Sequence, residues 1–76
     1  MNRMRRKTIN SIYERLYELR NLLEEVKDEE EEYRDNIPEN LQGSERYIRT
    51  DEILDDLDSA ISSLEETLDY LESAAE

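Results

Sequence analysis

The stretch Asp35-Asn36-Ile37-Pro38-Glu39-Asn40-Leu41-Gln42-Gly43-Ser44 contains the only proline and the only glycine of the 76-residue chain. A residue that precedes proline avoids helical backbone angles, so a helix before this stretch must end near Asn36. Gly43 is expected to adopt a backbone angle that other residues resist. Ser44 is a good N-cap for a following helix. The stretch therefore predicts a turn between two helices.

Apolar residues recur at alternating spacings of three and four on both sides of this turn. Before the turn they are Ile9, Ile12, Leu16, Leu19, Leu23 and Val26, and after it they are Leu54, Leu57, Ile61, Leu64, Leu68, Leu71 and Ala75. This spacing is the heptad pattern of a coiled coil. It predicts one domain over residues 1–76, with helix 1 at about 5–34, a turn at about 35–43 and helix 2 at about 44–75.

The two heptad rows match when the chain folds back on itself. Ile9 then lies opposite Leu71, and Val26 lies opposite Leu54, with Ile37 and Leu41 filling the space inside the turn. The expected fold is all-α, an antiparallel two-helix hairpin that resembles a coiled coil. A core in a chain this short rarely supplies more than ~3 to 5 kcal/mol. We therefore expect a homodimer in which two hairpins form a four-helix bundle.

The chain is strongly acidic, with 22 acidic and 10 basic residues and a net charge of −12. Phosphates and anionic lipids would meet like charge, which argues against direct binding to nucleic acid or to a membrane surface. A basic protein surface is the complementary partner. No apolar run approaches the length of a membrane span, and the basic start of the chain leads into no apolar core, so a cytoplasmic protein is expected.

The acidic run Asp28–Glu32 is the strongest local feature. In the folded-back register it lies alongside acids of helix 2, so twelve acidic residues gather in the third of the hairpin nearest the turn. Such a run is either a solvated helix face or a binding surface, and both readings stay open. The candidate partner-binding residues are Glu24, Asp28, Glu29, Glu31, Glu32, Asp51, Glu52, Asp55 and Asp56.

The basic residues at the start of the chain have a simpler expected use. The same register brings Arg3, Arg5, Arg6 and Lys7 near acids at the end of helix 2. We expect charge matching within the molecule, although exposed pairs contribute little each.

The sequence contains no constellation for catalysis or metal binding. It has no cysteine and no histidine. The segment Asp55-Asp56-Leu57-Asp58 lacks the glycine and the alternating ligands of a calcium loop, and Ser62 and Ser63 have no base to activate them. We expect no enzyme activity, no cofactor and no metal.

The segment 36–47, Asn-Ile-Pro-Glu-Asn-Leu-Gln-Gly-Ser-Glu-Arg-Tyr, and the acidic leucine heptads that follow resemble small acidic helical proteins of Gram-positive bacteria and their phages. The resemblance covers the turn and helix 2 best, and helix 1 only in its pattern. It implies the hairpin fold and a phage or mobile-element origin. It implies no activity and no catalytic residue.

Two functions follow as hypotheses. The first is an acidic interaction protein that occupies a basic protein surface. Its most specific form is a phage-type inhibitor of a nucleic-acid-binding host defence protein, comparable to DNA mimics and anti-CRISPR proteins. The alternative is a structural module, a helical bundle that assembles with itself or scaffolds another protein.

Overall fold

The computed structural model covers all 76 residues and contains two long helices. Helix α1 spans Arg3–Asp35 and helix α2 spans Glu45–Ala74, with a short 3-10 turn at Glu39–Leu41 between them. The helices pack against each other as a hairpin with no strands. The sequence prediction of an all-helical hairpin is confirmed. Helix α1 starts two residues earlier and ends one residue later than expected.

Side chains cap the first turn of both helices. The Asn2 side chain accepts a hydrogen bond from the Arg5 backbone N–H at 2.8 Å, which explains why α1 begins before Arg5. The Ser44 hydroxyl accepts one from the Tyr47 N–H at 3.3 Å, as predicted. Each bond satisfies one of the backbone donors that a helix start leaves without a partner within the helix.

The turn is held by backbone hydrogen bonds and by one buried side chain. The Ile37 N–H donates to the Arg34 carbonyl at 3.1 Å, and the Ser44 N–H donates to the Leu41 carbonyl at 3.0 Å. Ile37 is buried, whereas Leu41 remains half exposed, so only Ile37 fills the turn as expected. The prediction for Gly43 is wrong. No residue has a positive φ, and a Cβ added at Gly43 would meet no atom within 4 Å.

The Cα trace of the molecule is a thin rod of 59 × 15 × 13 Å. Its radius of gyration is 17.4 Å, whereas a compact domain of this length would have about 11 Å. The core is correspondingly small. It consists of Ile37, Leu54, Ile61 and Leu68, with Thr50 as the one buried polar residue, and no side chain is fully enclosed.

The predicted heptad row of α2 is confirmed. Leu54, Ile61 and Leu68 are each only 5% exposed, and the intervening Leu57, Leu64 and Leu71 are partly buried. These residues form a continuous apolar stripe along α2, which is what its spacing of three and four predicted.

Half of the predicted row of α1 is wrong. Ile9, Leu16 and Leu23 are partly buried, but Ile12, Leu19 and Val26 are 45%, 52% and 48% exposed. The residues that complete the covered face are instead Tyr13, Arg20, Lys27 and Arg34. Helix α1 is therefore rotated about its axis, so that long basic side chains lie over the core. Their aliphatic stems cover apolar surface while their charged heads reach water and acids.

The predicted register is also shifted. It placed Arg20 level with Ala60, whereas Arg20 bonds to Glu65. The other two ion pairs between the helices, Lys27 with Asp58 and Arg34 with Asp51, have the same offset. The ion pairs between the helices are therefore offset by about one helical turn from the predicted register.

Candidate functional site: an acidic belt and an ion-pair ladder

Three basic residues of α1 pair with three acids of α2 at matched intervals of seven residues. We call these pairs the ladder: Arg20 with Glu65, Lys27 with Asp58, and Arg34 with Asp51. The Arg20 Nε donates to Glu65 Oε1 at 3.1 Å, and the Arg34 Nη1 donates to Asp51 Oδ1 at 2.8 Å. A residue further along α1 pairs with one earlier in α2.

The ladder changes the proton affinity of its bases. The hydrogen bond from Lys27 to Asp58, and secondarily the charge of Asp58, raises the pKa of Lys27 above the ordinary lysine value, even though desolvation acts in the opposite direction. Hydrogen bonds to Glu65 and Asp51 likewise raise the pKa of Arg20 and Arg34. These shifts favour the charged form of all three bases, which lie beside carboxylates of α2.

The ladder was not anticipated from the sequence. Its members were visible as a heptad repeat of bases at 20, 27 and 34 and a heptad repeat of acids at 51, 58 and 65. Two matched charge repeats at the heptad period are typical of the positions that flank a coiled-coil core. This pattern could have selected the correct rotation of α1.

Four of the nine predicted partner-binding acids already have a basic neighbour. Glu24 lies 3.2 Å from Arg20, Glu31 lies 3.9 Å from Lys27, Asp51 belongs to the ladder, and Glu52 lies 3.2 Å from Arg49. Their charge is partly neutralised within the chain, so they are weaker candidates for contact with a partner than the sequence indicated.

The other five predicted acids are exposed and make no ion pair within the chain. We call this set the acidic belt: Asp28, Glu29, Glu32, Asp55 and Asp56. Neighbouring residues on a helix point about 100° apart, so Asp28 and Glu29 face different directions, as do Asp55 and Asp56. The acids therefore surround the rod near the turn and do not form one flat patch.

The charge matching expected for the start of the chain is not found. The ion pairs of the structure involve Arg20, Lys27, Arg34 and Arg49, and none involves Arg3, Arg5, Arg6 or Lys7. These four residues are exposed at the end of the rod opposite the turn. The unpaired bases and the acidic belt thus lie in different parts of a long molecule.

One side of α1 carries apolar side chains without a partner. We call this set the apolar row: Ile12, Leu19, Leu22, Val26 and Tyr33, each between 44% and 54% exposed. Ile12, Leu19, Val26 and Tyr33 each precede a residue of the row that faces α2, namely Tyr13, Arg20, Lys27 and Arg34. The 100° step places them on the flank away from the ladder.

The remaining chemistry of the surface is limited. No cluster of three or more acidic residues is arranged to hold a metal ion. Neither helix contains an apolar segment of the length and hydropathy that crossing a membrane requires.

Comparisons with protein-family models, with curated proteins and with solved structures found no match. The resemblance of residues 36–47 to acidic helical proteins of Gram-positive bacteria and their phages therefore stays a prediction.

Proposed function

We propose that this chain is a non-enzymatic acidic interaction protein of the cytoplasm that binds a basic protein surface through its acidic belt. The observation that carries the proposal is the absence of an internal partner for Asp28, Glu29, Glu32, Asp55 and Asp56. Five like charges close together repel one another and disfavour the folded state. A basic surface that binds the belt relieves this repulsion, so the charge complementarity supports binding.

The basic surface of a nucleic-acid-binding protein is the target class that we favour, in line with a phage-type inhibitor of a host defence protein. The charge density limits how far the molecule imitates DNA. A net charge of −12 over 59 Å is about one charge per 5 Å, whereas duplex DNA carries one per ~1.7 Å. Contact through the belt alone is therefore a better description than imitation of a duplex along the whole rod.

The finer architecture that goes with this function is an antiparallel hairpin that pairs with a second copy into a four-helix bundle. The order of the ladder pairs supports the antiparallel direction, because the partner numbers fall along α2 as they rise along α1. The small core and the exposed apolar row support pairing, since a second copy would cover side chains that one hairpin leaves in water. These same observations favour the alternative function, a self-assembling structural module.

A binding assay with matched charge variants tests the proposal. The test variant replaces Asp28→Asn, Glu32→Gln and Asp56→Asn, which removes three belt charges without breaking an ion pair within the chain. The control variant replaces Glu66→Gln, Asp69→Asn and Glu72→Gln, which removes three exposed, unpaired acids from the opposite end of the rod. Both variants have the same net charge, so only the position of the change differs.

Core histones serve as the basic, nucleic-acid-binding probe, with affinity measured by isothermal titration calorimetry. We expect the wild type and the control variant to bind and the belt variant to bind at least about tenfold more weakly, with affinity falling steeply as salt is raised. Equal weakening in both variants would mean that net charge alone acts, and absence of wild-type binding would oppose the proposal. If the chain is instead a self-assembling structural module, the belt variant will self-associate as the wild type does, whereas a core substitution will abolish self-association.

A further inference from the structure

The two flanks of the hairpin have different chemistry. The ladder occupies one flank, with charged side chains from both helices. The other flank carries the apolar row of α1. On α2, Ile53 and Ala60 lie five residues before the ladder acids Asp58 and Glu65, a rotation of about 140° that places them on the same flank as the apolar row. Both helices thus contribute to one apolar face on the side away from the ladder.

We propose that this apolar face packs against the same face of a second copy, with the two turns at opposite ends and the two α1 helices side by side near Leu22. The inference rests on the self-association proposed above and does not depend on the basic partner. A twofold arrangement of this kind requires a surface that is complementary to itself, so that residue i meets residue j and residue j meets residue i.

The sequence of the apolar row has this self-complementarity. Arg15 and Glu29 lie seven residues on either side of Leu22, both are exposed, and neither makes an ion pair within the chain. When two α1 helices run in opposite directions with Leu22 at the centre, each Arg15 meets the Glu29 of the other copy. In the same register Leu19 lies within one residue of the level of Val26 in the other copy, and Ile12 lies within one residue of the level of Tyr33. An unrelated partner would not require such symmetry.

The distribution of charge selects the orientation. With the turns at opposite ends, the unpaired bases Arg3, Arg5, Arg6 and Lys7 of one copy lie beside the turn of the other, where Glu39 is exposed. With the turns at the same end, the two acidic belts would lie side by side. Like charges that face each other across an interface oppose association, so the first arrangement is favoured.

The face is large enough for a stable pair. From Ile12 to Tyr33 it extends about 32 Å along the helix, and two helices side by side are about 20 Å wide. The projected area is therefore about 640 Å² from these helix dimensions, and the accessible area is larger because side chains project from it. A standard interface buries about 800 Å² on each partner, which is little more than a tenth of the 6074 Å² that the single chain exposes.

Single cysteines test this geometry cleanly because the chain has none of its own. A disulfide requires Cα atoms within about 7 Å of each other. We expect Leu22→Cys to form a disulfide-linked dimer rapidly under mild oxidation, as seen on a non-reducing gel. Asn21→Cys, one residue away but on the outer side of α1, and Gln42→Cys, at the turn, should remain monomeric on that gel. Circular dichroism confirms that each variant stays helical.

Sedimentation and cysteine cross-linking together separate a wrong orientation of the pair from a complete lack of self-association. A wild-type mass of 9.1 kDa by sedimentation at about 100 μM, where a weak pair with a Kd near 10 μM would still form, would overturn both. A wild-type dimer in which Gln42→Cys links and Leu22→Cys does not would overturn only the orientation. Equal linking of Leu22→Cys and Asn21→Cys would show that the apolar face is not the contact.

A charge exchange provides a second test that does not depend on oxidation. Arg15→Glu places like charges opposite each other twice in the proposed pair, so we expect the dimer dissociation constant to rise by about tenfold. Adding Glu29→Arg in the same chain restores opposite charges and should return the constant to near its original value. If the dissociation constant of the double variant rises by the product of the factors measured for the two single variants, the proposed register is wrong.

Discussion

Gly43 lies in the turn, but its backbone conformation is one that other residues also adopt. Its backbone has no positive φ, and a methyl group placed on its Cα would lie in open space, since no atom comes within 4 Å. We expect Gly43→Ala to leave the fold intact and to stabilise it by about 0.4–1 kcal/mol, because alanine restricts the unfolded chain more than glycine does. Urea unfolding measures this change.

Ser44→Ala is the matched comparison at the neighbouring position. It removes the acceptor for the Tyr47 N–H, and we expect a loss of about 1 kcal/mol, which is typical of an N-cap serine. A larger loss at Gly43 than at Ser44 would contradict the backbone geometry described for the turn.

Lys27 makes the stability of the fold depend on pH in the alkaline range. Its folded-state pKa is raised, so its contribution is fully present below the ordinary lysine pKa of about 10.4 and is lost as pH rises through the folded-state pKa. We expect the difference in melting temperature between wild type and Lys27→Met to be constant from about pH 7 to 9 and to change in favour of the variant above pH ~10.4. If the difference in melting temperature does not vary across this range, Asp58 does not raise the pKa of Lys27.

At the scale of the helix, a buried and an exposed isoleucine of α2 should differ in their sensitivity to truncation. Ile61 is 5% exposed, whereas Ile48 on the same helix is 51% exposed. We expect Ile61→Ala to cost about 2–5 kcal/mol, enough to unfold much of the population in so thin a molecule, and Ile48→Ala to change stability by less than about 0.5 kcal/mol. Thermal unfolding followed by circular dichroism compares them. Similar losses at both sites would indicate that Ile48 is covered in solution.

The helices were predictable from the sequence because their determinants are local. Proline at 38, serine at 44 and a sustained spacing of three and four are sufficient to place both helices and the turn. Helix α2 also has only one apolar stripe, so its buried face followed directly. Asn2 was a visible N-cap that set the start of α1 two residues earlier than the apolar pattern alone.

The rotation of α1 is not decided by local apolar spacing, since Ile9, Leu16 and Leu23 belong to two possible faces of this helix. Apolar counting favoured the stripe with Ile12, Leu19 and Val26, but the hairpin uses the one with Arg20, Lys27 and Arg34. The choice depends on acids 17 to 45 residues away along the chain, which no local pattern contains. Which of the candidate acids have a basic neighbour also depends on this rotation.

At the scale of the whole molecule, net repulsion controls stability. The chain carries a charge of −12, and its ion pairs are all partly exposed to water. Screening weakens the long-range repulsion among the acids more than it weakens the close contacts of the ladder. We therefore expect the melting temperature to rise when sodium chloride increases from about 20 to about 500 mM at neutral pH. A fall in melting temperature would mean that the ladder outweighs the repulsion.

The spacing of the ladder pairs along the chain also has a consequence for the order in which the molecule folds. The pair nearest the turn joins residues 17 apart, and the furthest joins residues 45 apart. The entropy lost on closing a loop grows with the logarithm of its length, so contacts at the turn form most readily and those at the chain ends follow. In a kinetic experiment, truncation of Leu54 should slow refolding, whereas truncation of Leu68 should chiefly accelerate unfolding.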